Sequence, residues 1–231
     1  MRKSALAVGV AIATISLGVG LVGCGSDSKT SKESTSTSTS TSTTTSAKPT
    51  TTTSAEASGP HETLDEYFKK NNIQETPITH NTPGAPVVNL PVPEGWSQLP
   101  ESEDAPYGGI VYNTPSDPSD PPTIKALFEK LTGDNLNTDE ILAVSVGDLR
   151  NQPSYDGGEG DKSTLGGFPA FQAGGSITKN GAKRAVAQKS VVVQGKDGVY
   201  LLLLAARAPD ADRNTLMDAT NVIDEKTTIT P

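Results

Sequence analysis

The sequence has one cysteine, two histidines and one tryptophan, and aromatic residues fill only 4% of its 231 positions. A lone cysteine cannot close an intramolecular disulfide, and with two histidines it cannot supply the four protein ligands of a structural zinc site. Positive charge is also short. Nineteen Lys and Arg stand against 27 Asp and Glu, a formal charge of −8. An acidic chain with no basic stripe lacks the electrostatic footprint of a nucleic-acid binder, so no nucleic-acid partner is expected. The most informative gap is local: between Gly23 and Thr63 there is no Val, Ile, Leu, Met, Phe, Trp or Tyr. Such a segment has nothing to bury in a core.

What is present divides the chain into three. Met1-Arg2-Lys3 and the apolar run over residues 5–22 read as an export signal covering residues 1–23. A run of about 18 apolar residues is long enough to cross a bilayer, but its ending, Leu21-Val22-Gly23-Cys24, matches a bacterial lipobox. In that motif small residues let the peptidase approach the backbone, and the cysteine takes a diacylglyceryl thioether before cleavage. Cys24 is therefore the expected lipid-attachment residue, and two or three acyl chains there would anchor the protein stably. The expected location is the cell membrane, lipid-anchored and facing the periplasm or cell envelope, with release from it as the alternative fate.

Residues 24–60 form the second piece. From Ser26 to Ser58, 23 of 33 positions are Ser or Thr, a composition that cannot offset the entropy of ordering it. It is expected to be a disordered linker and a target for O-glycosylation, spanning on the order of 30 Å as a coil. Residues 61–231 remain as a single domain. Five bases and three acids precede it, which leaves 14 bases against 24 acids and a domain charge of −10. Such a surface avoids anionic headgroups, so the acyl anchor matters more for membrane residence.

Within the domain, Thr63-Leu64-Asp65-Glu66 is a capping-box pattern that predicts a helix to about residue 71. Residues 87–92, 109–112 and 123–131 read as extended, with a rigid Pro-rich loop at 115–122. Residues 138–150 carry acids in the first turn and one apolar side, which predicts one helix. The strongest local signal is Asn180-Gly181, which predicts a type I′ hairpin joining strands over 168–178 and 183–193. Lys196-Asp197-Gly198 is a second turn, residues 199–206 are a continuous apolar run suited to a central strand, and Asp210 is expected to cap a last helix. The whole predicts an α+β fold with an antiparallel sheet packed against helices.

Several strings carry a family resemblance. They are Asn72-Ile73-Gln74-Glu75-Thr76-Pro77, Leu90-Pro91-Val92-Pro93-Glu94-Gly95-Trp96, Ala105-Pro106-Tyr107-Gly108-Gly109-Ile110-Val111-Tyr112, Lys130-Leu131-Thr132-Gly133 and Ala219-Thr220-Asn221-Val222-Ile223-Asp224-Glu225. Together with the lipobox and tether, they resemble the LpqN/LpqT family of mycobacterial lipoproteins across essentially the whole chain. The resemblance implies a PsbP-like α/β sandwich and no recognised catalytic residues. It also implies association with the cell envelope, handling of trehalose mycolate glycolipids beside the transport and mycolyl-transfer proteins, and a link to virulence.

No catalytic residue, metal site or cofactor is assigned from the residues themselves. His61 borders the linker and His80 lies in a polar loop, where isolated histidines are solvated rather than catalytic. Residues 156–161 imitate a calcium loop but lack the EF-hand ligand order and its late bidentate Glu. Of the ten aromatics, Trp96, Phe128, Phe168, Phe171 and Tyr200 fall in or beside predicted strands and suit a core. Tyr107 stands apart, because Gly108 and Gly109 clear space beside a ring that a loop presents. Tyr107 and Trp96 are therefore the expected ligand contacts. Two non-enzymatic functions follow: a module that binds or passes an envelope glycolipid in a groove between sheet and helix, or an adaptor that docks on envelope transport proteins or, if released, on host proteins. The first predicts a pocket and the second an exposed apolar patch.

Overall fold

The computed structural model describes residues 60–231; the signal segment, Cys24 and the linker lie outside the described residues. The first element is helix α1 (Leu64–Asn71). Its capping box closes in both directions, with Glu66 N–H donating to the Thr63 hydroxyl and Thr63 N–H donating to the Glu66 carboxylate. Asn72 then ends it in a left-handed conformation.

Four long antiparallel strands make the body of the sheet: β5 (Thr123–Thr132), β8 (Phe168–Lys179), β9 (Ala182–Gly195) and β10 (Gly198–Pro209). Asn180 and Gly181 both take positive φ angles between β8 and β9, as a type I′ turn requires. Shorter strands complete it: β1 (Gln74–Pro77), β3 (Trp96–Leu99), β4 (Gly109–Tyr112), β6 (Asp156–Gly157) and β7 (Asp161–Leu165). The path across the sheet is β3-β4-β5-β10-β9-β8-β6. β4 and β1 share the outer edge of β5, and β7 and β6 share that of β8. A separate ribbon pairs β2 (Val87–Asn89) with β11 (Thr228–Thr230).

β10 is central, and its unbroken apolar run follows from cover on both faces. Tyr200, Leu202, Leu204 and Ala206 face a cluster completed by Leu216, Ala219 and Ile223 of the C-terminal helix α4 (Arg213–Lys226), with Val88 and Ile229 of the ribbon. Leu201 points the other way, into a cluster with Leu64, Tyr67 and Phe68 of α1 and with Ile141 and Leu142 of α2 (Thr138–Val144). Each fully buried Leu here contributes roughly 1.5–3 kcal/mol. The fold is α+β with a mostly antiparallel sheet, as expected.

Two helix expectations need correction. Residues 138–150 are not one helix: α2 ends at Val144 and a short α3 (Gly147–Arg150) starts after a break. The Ser145 hydroxyl and N–H both turn back to Leu142 O, and Val146 leaves helical geometry. Asn137, not Thr138, caps α2 through its side chain. At the last helix, Asp210 opens a short 3-10 turn and its carboxylate accepts from Arg213, while Asp212 accepts from the Ser116 hydroxyl and N–H. Neither aspartate makes a side-chain cap on α4.

Candidate functional site

Cross-strand register places Gly174, Ala187, Ala206 and Ile124 in one row across β8, β9, β10 and β5. Three of the four are small, so the sheet surface sinks there while α4 passes above. The result is a groove of about 320 Å³, with Ala187, Ala206, Leu204 and Ile223 among its walls. Its mouth is polar. Gln172 and Asp161 line it from the sheet, Thr220 and Asn221 from α4. Lys189 on β9 points under α4 with its side chain 11% exposed, and its Nζ donates to Asp224 Oδ1 at 2.6 Å.

The same row continues through Ile110 of β4 to Gln98 of β3. There a second, wider cavity of about 670 Å³ opens between the sheet edge and the segment around β2. Three strand spacings, about 14 Å, separate Ala187 from Ile110, and Ile124 and Ile110 are both fully buried between the two spaces. Tyr107 lines this second cavity together with His80, Asn89, Leu90 and Glu101. The His80 ring lies on Tyr107, and Glu101 accepts both the His80 N–H, at 3.0 Å, and His80 Nδ1, at 2.8 Å. Those bonds, the backbone one foremost, hold the Glu101 carboxyl below its usual range.

Tyr107 is not the presented rim residue that the sequence suggests. It is 2% exposed, packs edge-on to Phe128, and its hydroxyl accepts the Val88 N–H at 3.3 Å. Burial pushes its phenol pKa up. The adjacent glycines serve a different purpose: a Cβ on Gly109 would lie 2.2 Å from Ile124 O of β5 and one on Gly108 would lie 2.7 Å from Leu99 O of β3, so they let the chain pass close to both strands. Trp96 is also buried, tilted against Tyr112 with ring centroids 5.5 Å apart, and lines neither cavity. Tyr107 and Trp96 share one hydrophobic cluster, and of the two only Tyr107 borders a cavity.

The remaining sequence candidates separate. His61 exchanges backbone bonds with the Asn151 side chain beside α3. Among residues 156–161, Gly158, Gly160 and Asp161 border the α4 groove. Among the described residues, no group of three or more His, Cys, Asp or Glu is placed to hold a metal ion. The groove's own residues escaped sequence reading. Lys189 sits at an alternating strand position that reads as solvent-facing, and only its cross-strand neighbours Gln172 and Leu204 with α4 above reveal its burial.

A family model described as "Probable lipoprotein LpqN" matches residues 60–230. The chain belongs to the LpqN lipoprotein family. The Lipoprotein LpqN of Mycobacterium tuberculosis (strain ATCC 25618 / H37Rv) is 54% identical over 177 residues, covering 76% of this chain and 77% of the relative. The chain is also similar to a solved structure, that of LpqN described as involved in cell envelope biogenesis of Mycobacterium tuberculosis. The TM-score is 0.73 at 54% identity, over 75% of this chain and 100% of the solved one. A more distant relative is the Proline-rich 28 kDa antigen homolog of Mycobacterium leprae (strain TN), 22% identical over 169 residues, 73% of this chain and 60% of that one.

Proposed function

We propose that the protein is a non-enzymatic envelope lipoprotein that binds, or helps to move, amphiphilic glycolipids of the trehalose mycolate type while held at the membrane by acyl chains on Cys24. The observation that carries this reading is the α4 groove, whose floor is a row of small apolar residues and whose mouth is polar. Its volume of about 320 Å³ is at the lower end of small-molecule sites. It suits a segment of one hydrocarbon chain with the polar head at the mouth, so a long lipid would be held by part of its length. The large apolar side chains left exposed among the described residues are Val87, Val92 and Met217, which favours a groove binder over an adaptor with a broad apolar patch. The glycolipid class and the expected partners, envelope transport and mycolyl-transfer proteins, are part of the proposal and follow from the resemblance read in the sequence. A relative described as involved in cell envelope biogenesis supports the setting.

The deciding experiment is native mass spectrometry of the domain extracted from its own host. A co-purified lipid mass is expected, and it should be lost in an Ala187→Leu variant that fills the groove. A domain without bound lipid, which also fails to take up added glycolipid, would reject the proposal.

A further inference from the structure

We infer that Lys189 and Asp224 set the charge selectivity of the α4 groove, so that it accepts an uncharged, hydroxyl-bearing headgroup and turns away anionic ones. The inference rests on the groove being an amphiphile site and adds which amphiphiles it takes.

Lys189 lies in the sheet row of Gln172 and Leu204, one step along from the small-residue floor. A cation so well covered needs a counter-charge close by. Asp224 supplies it from α4 at 2.6 Å. An ammonium has three N–H donors, and among the described residues Asp224 takes one of Lys189's while its own second oxygen receives no donor. The pair therefore presents donors and an acceptor side by side, the pattern of a hydroxyl group or of two neighbouring hydroxyls. Gln172 and Asn221 line the same mouth with amides, which likewise both donate and accept.

The charge balance works against an anion. Lys189 is neutralised by Asp224, and Asp161 adds a further negative charge to the lining. The domain carries more acids than bases overall, so the field at the mouth is repulsive to a phosphate or carboxylate head at low ionic strength. Had Lys189 been unpaired, the opposite selectivity would follow.

The test uses the full-length protein loaded with Nile red, an uncharged polarity-sensitive dye, and displaced by dodecyl maltoside or by an anionic lysophosphatidylglycerol of similar chain length, both below their micellar concentrations. Dodecyl maltoside is expected to displace the dye about tenfold more effectively at low salt, the size of effect one partly screened charge produces. Asp224→Asn keeps the side-chain shape, and Asp161→Asn changes an exposed residue. Each should strengthen the anionic ligand by about threefold or more and leave maltoside nearly unchanged, with the Asp161 variant safe from any folding defect. Equal displacement by both ligands, unaltered in either variant, overturns the inference alone. Failure of both ligands to displace the dye overturns the groove reading itself.

Discussion

His80 lies flat on Tyr107, with ring centroids 4.0 Å apart and 20° from parallel. The stack joins a loop histidine to a core tyrosine, and Glu101 fastens the histidine from the other side. Loop 79–84 is thus fixed to the sheet edge at the wall of the wider cavity.

Truncating Tyr107 should therefore cost stability before it says anything about ligands. Tyr107→Ala is expected to lose about 3–5 kcal/mol through the cavity it leaves, read as a fall in melting temperature. Tyr107→Phe removes only the acceptor for Val88 N–H, about 1 kcal/mol. Retention of the wild-type melting temperature by the alanine variant would show that the ring is not packed as described.

Filling the α4 groove should separate binding from folding. Ala187 is only partly buried, so Ala187→Leu has room to tilt towards the mouth. Nile red binding is expected to fall at least about tenfold, matching an excluded methylene segment of a few CH₂ groups, with a melting temperature close to wild type. Unchanged dye binding would place the ligand elsewhere.

Stability should decline as pH rises from about 4.5 to 7. Glu75 and Glu129 are diagonal neighbours across β1 and β5. Partial desolvation first, then the Glu129 charge and hydrogen bond, push the carboxyl of Glu75, which keeps much of its side chain in solvent, up to about 7. The folded state thus holds a proton that the unfolded chain has released in this interval, so ionisation opposes folding as pH increases. With solvent screening at an exposed position allowed for, the effect is about 1 kcal/mol. Denaturant midpoints at pH 5 and pH 8 measure it, and Glu75→Gln should flatten the difference. An identical pH slope in the variant would contradict the assignment.

Gly109→Ala should be among the most damaging small changes. With φ at +152° and a new Cβ 2.2 Å from Ile124 O, the β4–β5 contact has to shift. A loss of about 2 kcal/mol or more is expected in chemical denaturation. A neutral effect would mean that β4 does not press on β5 as closely as the structure shows.

Cys24→Ser is expected to abolish metabolic labelling with an alkynyl fatty acid and to release the protein from membranes. Persistent labelling would disprove acylation at this residue.

The sequence was legible wherever one local interaction decides the geometry. Thr63 and Glu66 announce a capping box, Asn180-Gly181 a tight hairpin, and the run through Leu201 and Leu202 a strand covered on both faces. It was opaque where the deciding contact comes from another element. β1 and β7 are short and mostly exposed, so neither carries an apolar alternation to read. Gly108 and Gly109 looked like clearance for an exposed ring, yet the clearance is for backbone, that of β3 at Gly108 and of β5 at Gly109. The α4 groove depends on Gly174, Ala187 and Ala206 falling into one row, and that row exists only once three strands have paired.

The division of the outer strand edges bears on how one folded domain meets another copy of itself. The long flanks of β5 and β8 are each covered by two short strands, and the longest of these, β7, spans five residues and begins with the charged pair Asp161 and Lys162. Among the described residues, the outer edges of the sheet therefore offer another copy only short rows of free backbone donors and acceptors. Edge-to-edge zipping into fibrous aggregates, the hazard of long bare strands, is correspondingly disfavoured.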